Sequence, residues 1–438
     1  MKKILVIGSG GREHAILRTL RRTSTHDAKI HCAPGNAGIA EEFSCLPVNT
    51  TDVSALANYA EEAKIDLTIV GGEAPLALGL TNEFARRNLL VAAPTWEAAR
   101  LESSKIFAKD FMTRHRIPTA RYRAANSVDE VRQILQRGEF GKANAPVVVK
   151  ADGLAAGKGV RLARSHGEAM RAAADLLKTE RSGESKSIVL EETLAGREAS
   201  LLLFTDGRDY KLMPAARDHK RIGENDTGAN TGGMGAVTDE WVLDEETKNR
   251  IAREIVEPTL EGARAEGFEF RGVLYVGLML TTEGARVLEY NVRFGDPEAQ
   301  AILVRLQSDL AEVFDAVASR RLNSVSVEWS AEASACVVLA ARGYPEQPKM
   351  GARIEGLGSV DSSDAGVEVF HAGTERDAEG NWIVAGGRVL NVTGTGATLD
   401  EALRRCYRRV GSINWEGMQY RRDIGKFAQA SVGVNRNL

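Results

Sequence analysis

At about 150 residues per domain, the chain's 438 residues suffice for roughly three domains, each able to bury a core. Lys plus Arg total 57 against 60 for Asp plus Glu, a net charge of -3 without a basic block, which excludes the electrostatic footprint of a nucleic-acid or membrane-surface binder. An apolar fraction of 43% with 27% charged residues excludes a disordered or fibrous chain, and four cysteines without a CxxC pair argue against a disulfide framework or a thiolate zinc site.

Residues 3–7 run from Lys3 through four apolar, largely β-branched residues and stop at Gly8, too soon for a secretion signal; residues 12–23 then place Ala15, Ile16, Leu17 and Leu20 at helical spacing. The pattern repeats with a strand at 29–33, a helix capped near Thr51 or Asp52, a strand at 67–70 ending in Gly71 and Gly72, a helix after Pro75 and a strand at 89–92. This alternation predicts a doubly wound parallel sheet over residues 1–100. One helix is predicted from about 95 to 115, stopped by Pro118. Between 122 and 191 the elements shorten into a small α+β unit. It comprises a strand, a helix opened by Ser127 with Glu130 as a capping box, a strand at 147–150, a glycine-rich hairpin to 163, a helix at 166–178 and a strand at 188–191. Longer elements resume at 199–323, with paired strands at 273–280 and 285–292. A strand around Val327, another at 335–340 and a helix at 398–410 predict a separate C-terminal α+β domain. The expected fold class is therefore α/β, divided into 1–100, 101–325 and 326–438. No stretch approaches the ~18 apolar residues of a membrane span, and the expected location is the cytoplasm.

The turn GSGGREHA (8–15) sets backbone N–H groups at a helix N-terminus, where anions are attracted; a turn that only satisfies backbone geometry is the alternative. It is not a dinucleotide fingerprint, because Glu13 stands where the third glycine belongs and the acid expected after the second strand is missing. VVVKADGLAAGKGV (147–160) ends a strand in Lys150 and continues through Gly153, Gly157 and Gly159 with Lys158 between. Such a hairpin either lies over a polyphosphate or is plainly exposed. RVLEYNVRFGDPE (286–298) is sharper, since strand alternation puts Glu289, Asn291 and Arg293 on one face and Leu288, Tyr290 and Val292 on the other. A carboxylate and an amide oxygen two residues apart suit hard Mg²⁺, which stays partly bound to phosphate and water; a solvated polar face is the alternative. The loop ARDHKRIGENDTGANTGGMGA (216–236) is too polar for a core and reads as a binding loop or disordered surface. Its His219 is expected to position or hydrogen-bond, because no serine or cysteine nucleophile stands near it in sequence. These residues alone point to an ATP- and Mg²⁺-dependent enzyme with an anionic substrate.

Taken in order, GSGGREHA, APGNAG (33–38), VGGEAPL (70–76), SSKIFAKDFM (103–112), VVKADGLAAGKGV, EETLAGREAS (191–200), DHKR, NTGGMGA, LEYNVRFGDPEAQ and FHAGT (370–374) resemble the ATP-grasp superfamily. Within it they resemble the phosphoribosylamine–glycine ligase family, also called glycinamide ribonucleotide synthetases, over nearly the whole chain. The resemblance implies that ATP phosphorylates the glycine carboxylate and that the amine of 5-phosphoribosylamine attacks the glycyl phosphate. The products are glycinamide ribonucleotide, ADP and phosphate, in purine synthesis. It implies ATP with Mg²⁺ or Mn²⁺, no nucleic-acid or membrane partner, and a monomer or weak homodimer.

Position by position, the resemblance makes Lys105 and Lys150 contacts to the ATP phosphates, with Gly157 and Lys158 in the hairpin over them. Glu191 and Leu194 frame the adenine, and Glu198 holds the ribose hydroxyls. Glu289 and Asn291 become metal ligands, and Arg293 lies next to the transferred phosphoryl group or the glycine carboxylate. Asp218 meets the glycine ammonium, while Gly10, Gly11, Asn36 and Glu73 face phosphoribosylamine. Lys150, Asp218 and Arg293 form the implied catalytic set, and the 122–191 unit a lid that closes on ATP. Three departures stand out: Arg217 replaces the family's usual glutamine, Ala229 its usual proline, and the strand at 274–280 has no acid where many ATP-grasp relatives place a metal-binding glutamate. Competing readings are another ATP-grasp carboxylate–amine ligase, a nucleotide-dependent oxidoreductase, which Glu13 opposes, and a non-catalytic ATP-responsive protein. The last is expected to lack the face of Glu289, Asn291 and Arg293.

Overall fold

The computed structural model describes residues 1–154, 159–178, 187–358 and 366–426. Its first segment is a parallel sheet in the order Ser44–Cys45, Ala28–Pro34, Lys2–Gly8, Leu67–Val70 and Val91–Ala92. Along Lys2–Gly8, Leu5 and Ile7 enter one apolar cluster while Ile4 and Val6 enter another. Burial on both faces is what a continuous apolar strand requires in a parallel sheet. The same clusters take in Leu201 and Leu274 on one side and Leu202 and Phe204 on the other, so the first segment and the central region share a core.

The single helix expected at 95–115 is two helices, Trp96–Ser103 and Lys105–Arg114. Ser104 is extended (φ -136°, ψ 111°), and its hydroxyl accepts the Phe107 N–H, so it caps the second helix and ends the first. Lys105 is thereby the first residue of a new helix. The small unit is an antiparallel sheet ordered Tyr122–Ala125, Ile188–Glu192, Val147–Ala151 and Val160–Ala163. Helices Val128–Gln136 and His166–Lys178 cover it, and Val131, Val149, Ala169 and Leu190 belong to a core of its own.

The central sheet has nine strands. Eight run in the order Gly284–Asn291, Gly272–Thr281, Arg197–Thr205, Ala216–Asp218, Gly235–Thr238, Ala333–Ala340, Arg388–Gly396 and Val367–His371. The last three belong to the segment expected to form a separate domain. That segment's strands also continue the central sheet: Ala333–Ala340 is buried along its whole length and pairs with Gly235–Thr238 on one edge and Arg388–Gly396 on the other. No strand forms around Val327; Val325 and Val327 pack onto the core, and only an isolated bridge joins Leu306 to Trp329. No helix among the described residues is long and apolar enough to cross a membrane.

Candidate active site

The small unit, the central sheet, the first segment and the third segment together line one cleft of about 1130 Å³. At the end beside the small unit, the Glu191 carboxylate joins two buried cations, with Lys150 Nζ 2.8 Å from Oε1 and Lys109 Nζ 3.0 Å from Oε2. Lys150 Nζ also donates to Leu288 O at 3.0 Å, next to the β-bulge where the pairing of Gly284–Asn291 shifts register. Lys109 donates to Thr119 Oγ1 at 2.8 Å; burial pulls its pKa down to about 8, against the attraction of Glu191. Lys105 Nζ donates to Gly153 O at 3.0 Å, and burial lowers its pKa despite the nearby Glu289. Leu194 lines the same end. Gly157 and Lys158 lie outside the described residues.

Toward the middle of the cleft, Lys220 Nζ stands 3.6 Å from Glu198 Oε2 and 3.7 Å from Glu289 Oε1. Burial opposes the Lys220 charge, but Asp218, Glu198 and Glu289 outweigh it and hold its pKa well above the usual lysine range. For Asp218, burial dominates; with Glu298 and Glu198 adding to it and Lys220 opposing, its carboxyl is pushed up to about 7. Glu289 goes the other way, because burial is outweighed by Lys220, Lys150, Lys105 and Arg293. Glu289 and Asn291 both face the cleft from one strand. One carboxylate and one amide oxygen are hard donors that leave coordination positions for phosphate oxygens and water, so the residues fit a Mg²⁺-type ion. Among the described residues no cage of three or more His, Cys, Asp or Glu side chains converges on a metal position.

Arg293 lies two residues beyond the strand's end, and its guanidinium bridges two acids from other elements. Nε is 3.0 Å from Glu73 Oε2, Nη2 is 2.7 Å from Glu102 Oε1, and Nη1 donates to Phe294 O at 3.0 Å. Burial opposes its charge, yet Glu102 and Glu73 raise its pKa further; burial likewise opposes the Glu73 charge, but Arg293 and Arg12 hold that carboxyl down at about 2. Glu102 is pushed up by burial despite Arg293, and its Oε2 accepts the Val292 N–H at 2.8 Å.

The first glycine turn carries an acidic side chain of its own. The Glu13 side chain is seated where a Cβ at Gly8 or Gly71 would stand 2.4 or 2.1 Å from it, and its Oε2 accepts the Gly10 N–H at 2.6 Å. The helix N-terminus thus has a carboxylate of its own, which is also 2.7 Å from Arg12 Nε. Gly11 packs against Asn391, whose amide nitrogen would lie 2.1 Å from an added Cβ. Asn36 caps a short helix by accepting from Ile39 and donates to Ser9 O at 2.7 Å and His371 O at 3.1 Å. Glu73 and Arg12 line the cleft, and Gly10, Gly11 and Asn36 are not among its lining residues. His219 is buried, and its Nε2 accepts the Gly425 N–H at 3.0 Å, a positioning role.

The cleft also contains Arg12, Lys109, Tyr275, Tyr344 and Arg388, which sequence reasoning did not single out. Lys109 was within reach, standing four residues after Lys105 and so on the same helix face. Arg388 and Tyr344 carry no local signal, because long-range strand pairing brings them to the cleft.

Comparison with known proteins finds matches over nearly the whole chain. Residues 2–102, 103–299 and 334–427 match the N domain, the ATP-grasp (A) domain and the C domain of phosphoribosylglycinamide synthetase. A phosphoribosylamine–glycine ligase of Xylella fastidiosa is 45% identical and one of Vibrio cholerae 46%, each alignment covering 97% of both chains. The crystal structure of a phosphoribosylamine–glycine ligase from Thermotoga maritima superposes with a TM-score of 0.80 at 34% identity, covering 96% of this chain and 99% of that one.

Proposed function

The chain belongs to the phosphoribosylglycinamide synthetase family, and from that premise we infer that the cleft is where glycine and 5-phosphoribosylamine are joined. The enzyme is an ATP-dependent ligase of purine biosynthesis. In our reading ATP phosphorylates the glycine carboxylate, and the amine displaces phosphate from the glycyl phosphate. Activation turns a poor leaving group into a good one, and no enzyme nucleophile is needed. The observation that carries this reading is that Glu289, Asn291, Arg293, Lys105 and Lys150 all line one cleft, with Glu289 and Asn291 on one strand and Lys150 bonded to the Leu288 carbonyl of that strand.

Glu289 and Asn291 would hold the divalent ion, which we take to be Mg²⁺ or Mn²⁺; when bound it neutralises charge on the transferring phosphoryl oxygens. Lys105 and Lys150 supply fixed positive charge for the phosphates, and Lys109 holds Glu191 so that Lys150 keeps its direction. The backbone near Glu191 and Leu194 borders the adenine, Glu198 the ribose, Asp218 the glycine ammonium and Glu73 the amine substrate. Arg293, fixed by Glu73 and Glu102, directs a planar cation at the acyl and phosphoryl oxygens. The 122–191 unit, with its own core, suits a lid that excludes water from the reaction. Buried free thiols at Cys32, Cys336 and Cys406 suit the cytoplasm, and we take the enzyme to be a monomer or weak homodimer.

The test is ADP release with ATP-Mg²⁺, glycine and freshly made 5-phosphoribosylamine, repeated with alanine for glycine. Release that requires both substrates and collapses with alanine supports the reading; release indifferent to either substrate contradicts it.

A further inference from the structure

Arg388 begins the strand Arg388–Gly396 of the third segment, and the chemistry above does not use it. Its guanidinium lines the cleft and joins two loops, one at Gly232 and one at Asp296. Nη1 donates to Gly232 O and to Asp296 O, both at 2.6 Å, and Nη2 is 3.0 Å from Asp296 Oδ2. Tyr344, also of the third segment, accepts the Gly232 N–H on its hydroxyl at 3.1 Å.

Each loop leads directly to a group of the reaction site. From Gly232 the path passes to Thr231, whose N–H and hydroxyl both donate to Lys220 O, at 2.8 and 2.9 Å, and Lys220 faces Glu198 and Glu289. Asp296 is three residues beyond Arg293, and its Oδ1 accepts from Gln300 Nε2 at 2.8 Å. The loops have no slack at this junction. A Cβ at Gly232 would stand 3.1 Å from Arg388 Cζ, and one at Gly233, where φ is +114°, would stand 2.4 Å from Pro297 Cδ. Burial works against the Arg388 charge, but Asp296 outweighs it and the guanidinium stays charged.

We propose that Arg388, assisted by Tyr344, is a positioning residue of the ligase cleft that fixes the Lys220 loop and the Arg293 turn at the separation acyl transfer requires. The proposal rests on the ligase reading. A planar guanidinium can meet two carbonyls and a carboxylate at once, whereas an ammonium is a point charge that reaches fewer of them. The residue therefore acts on the substrate end of the cleft and leaves the Lys109–Glu191–Lys150 end unchanged.

Steady-state kinetics of Arg388→Met, Arg388→Lys and Tyr344→Phe test it, with thermal shifts by ATP-Mg²⁺ measured on each. For Arg388→Met we expect kcat/KM for glycine and for phosphoribosylamine to fall about tenfold or more, with KM for ATP within about twofold and the ATP-Mg²⁺ shift intact. Arg388→Lys should recover part of the loss, and Tyr344→Phe should show the same split at about threefold. Near-wild-type kinetics for Arg388→Met would overturn the proposal. So would an equal loss toward all three substrates together with loss of the ATP-Mg²⁺ shift, which marks a merely structural role. If Arg388→Met does not fold, unchanged kinetics of Tyr344→Phe overturns it instead. Failure of the wild-type chain to release ADP with both substrates refutes the ligase reading itself, a result separable from any variant's behaviour.

Discussion

Two regions of the cleft hold charged pairs of different length and side-chain exposure, although burial shifts titration in both. Around Glu191 the side chains are 2–7% exposed and the ion pairs are 2.8 and 3.0 Å long. Around Lys220 they are 35–46% exposed and the pairs lengthen to 3.6 and 3.7 Å. Short, dry pairs must be complete within the fold, because a buried charge left without its partner is costly. Long, wet pairs contribute little to stability and leave lone pairs free. In the proposed reading the first end is a rigid fixture for the nucleotide phosphates, while the second is a set of groups that metal and substrate would complete. Substitutions at the wet end should cost catalysis, and substitutions at the dry end should cost stability as well.

The largest expected effect is at the wet end. Glu289→Gln keeps the volume and removes one negative charge from the metal position, so kcat should fall on the order of 100-fold while the thermal midpoint stays near wild type. Unchanged turnover at saturating Mg²⁺ would remove Glu289 from that role.

Arg293→Lys comes next, with kcat and kcat/KM for glycine falling together by roughly tenfold or more, because one ammonium cannot serve Glu73, Glu102 and the reacting oxygens at once. A rise in KM for glycine with kcat intact would make Arg293 an anchor only.

At the dry end, Lys109→Met should raise KM for ATP and lower unfolding stability by up to about 3 kcal/mol, the remaining Lys150 pair limiting the loss. Urea denaturation and ATP-varied kinetics check both. A stability loss at Glu289 as large as that at Lys109 would erase the distinction between the ends.

The last comparison is by pH. The Asp218 carboxyl is raised from 3.8 to about 7 by burial, so between those values the folded state binds more protons than the unfolded one. This group's contribution is therefore full below the lower value and is lost as pH rises through about 7. Asp218→Asn should flatten that decline, read as urea midpoints at several pH values; parallel slopes in both proteins would contradict it.

Local patterning made much of this legible. The helix predicted at 166–178 is His166–Lys178, the strand at 273–280 lies within Gly272–Thr281, and the strand at 285–292 matches Gly284–Asn291 to within one residue at each end. Period-two alternation also places Glu289 and Asn291 on the cleft wall. What stayed hidden depends on contacts distant in sequence. Two helices abutting at Ser104 share one apolar periodicity, so only the cap reveals the break. The continuity of the third segment with the central sheet was not legible, because the pairing of Gly235–Thr238 with Ala333–Ala340 spans nearly a hundred residues. Glu13 read as a missing glycine, whereas it is the carboxylate for which Gly8 and Gly71 leave room.

The most direct measurement follows oxygen through the reaction with glycine labelled with ¹⁸O at both carboxylate positions. If glycine is activated as glycyl phosphate, one labelled oxygen per turnover must leave with the inorganic phosphate and the other must remain in the amide product. Phosphate carrying one ¹⁸O is the result predicted here; unlabelled phosphate formed alongside glycinamide ribonucleotide would contradict it.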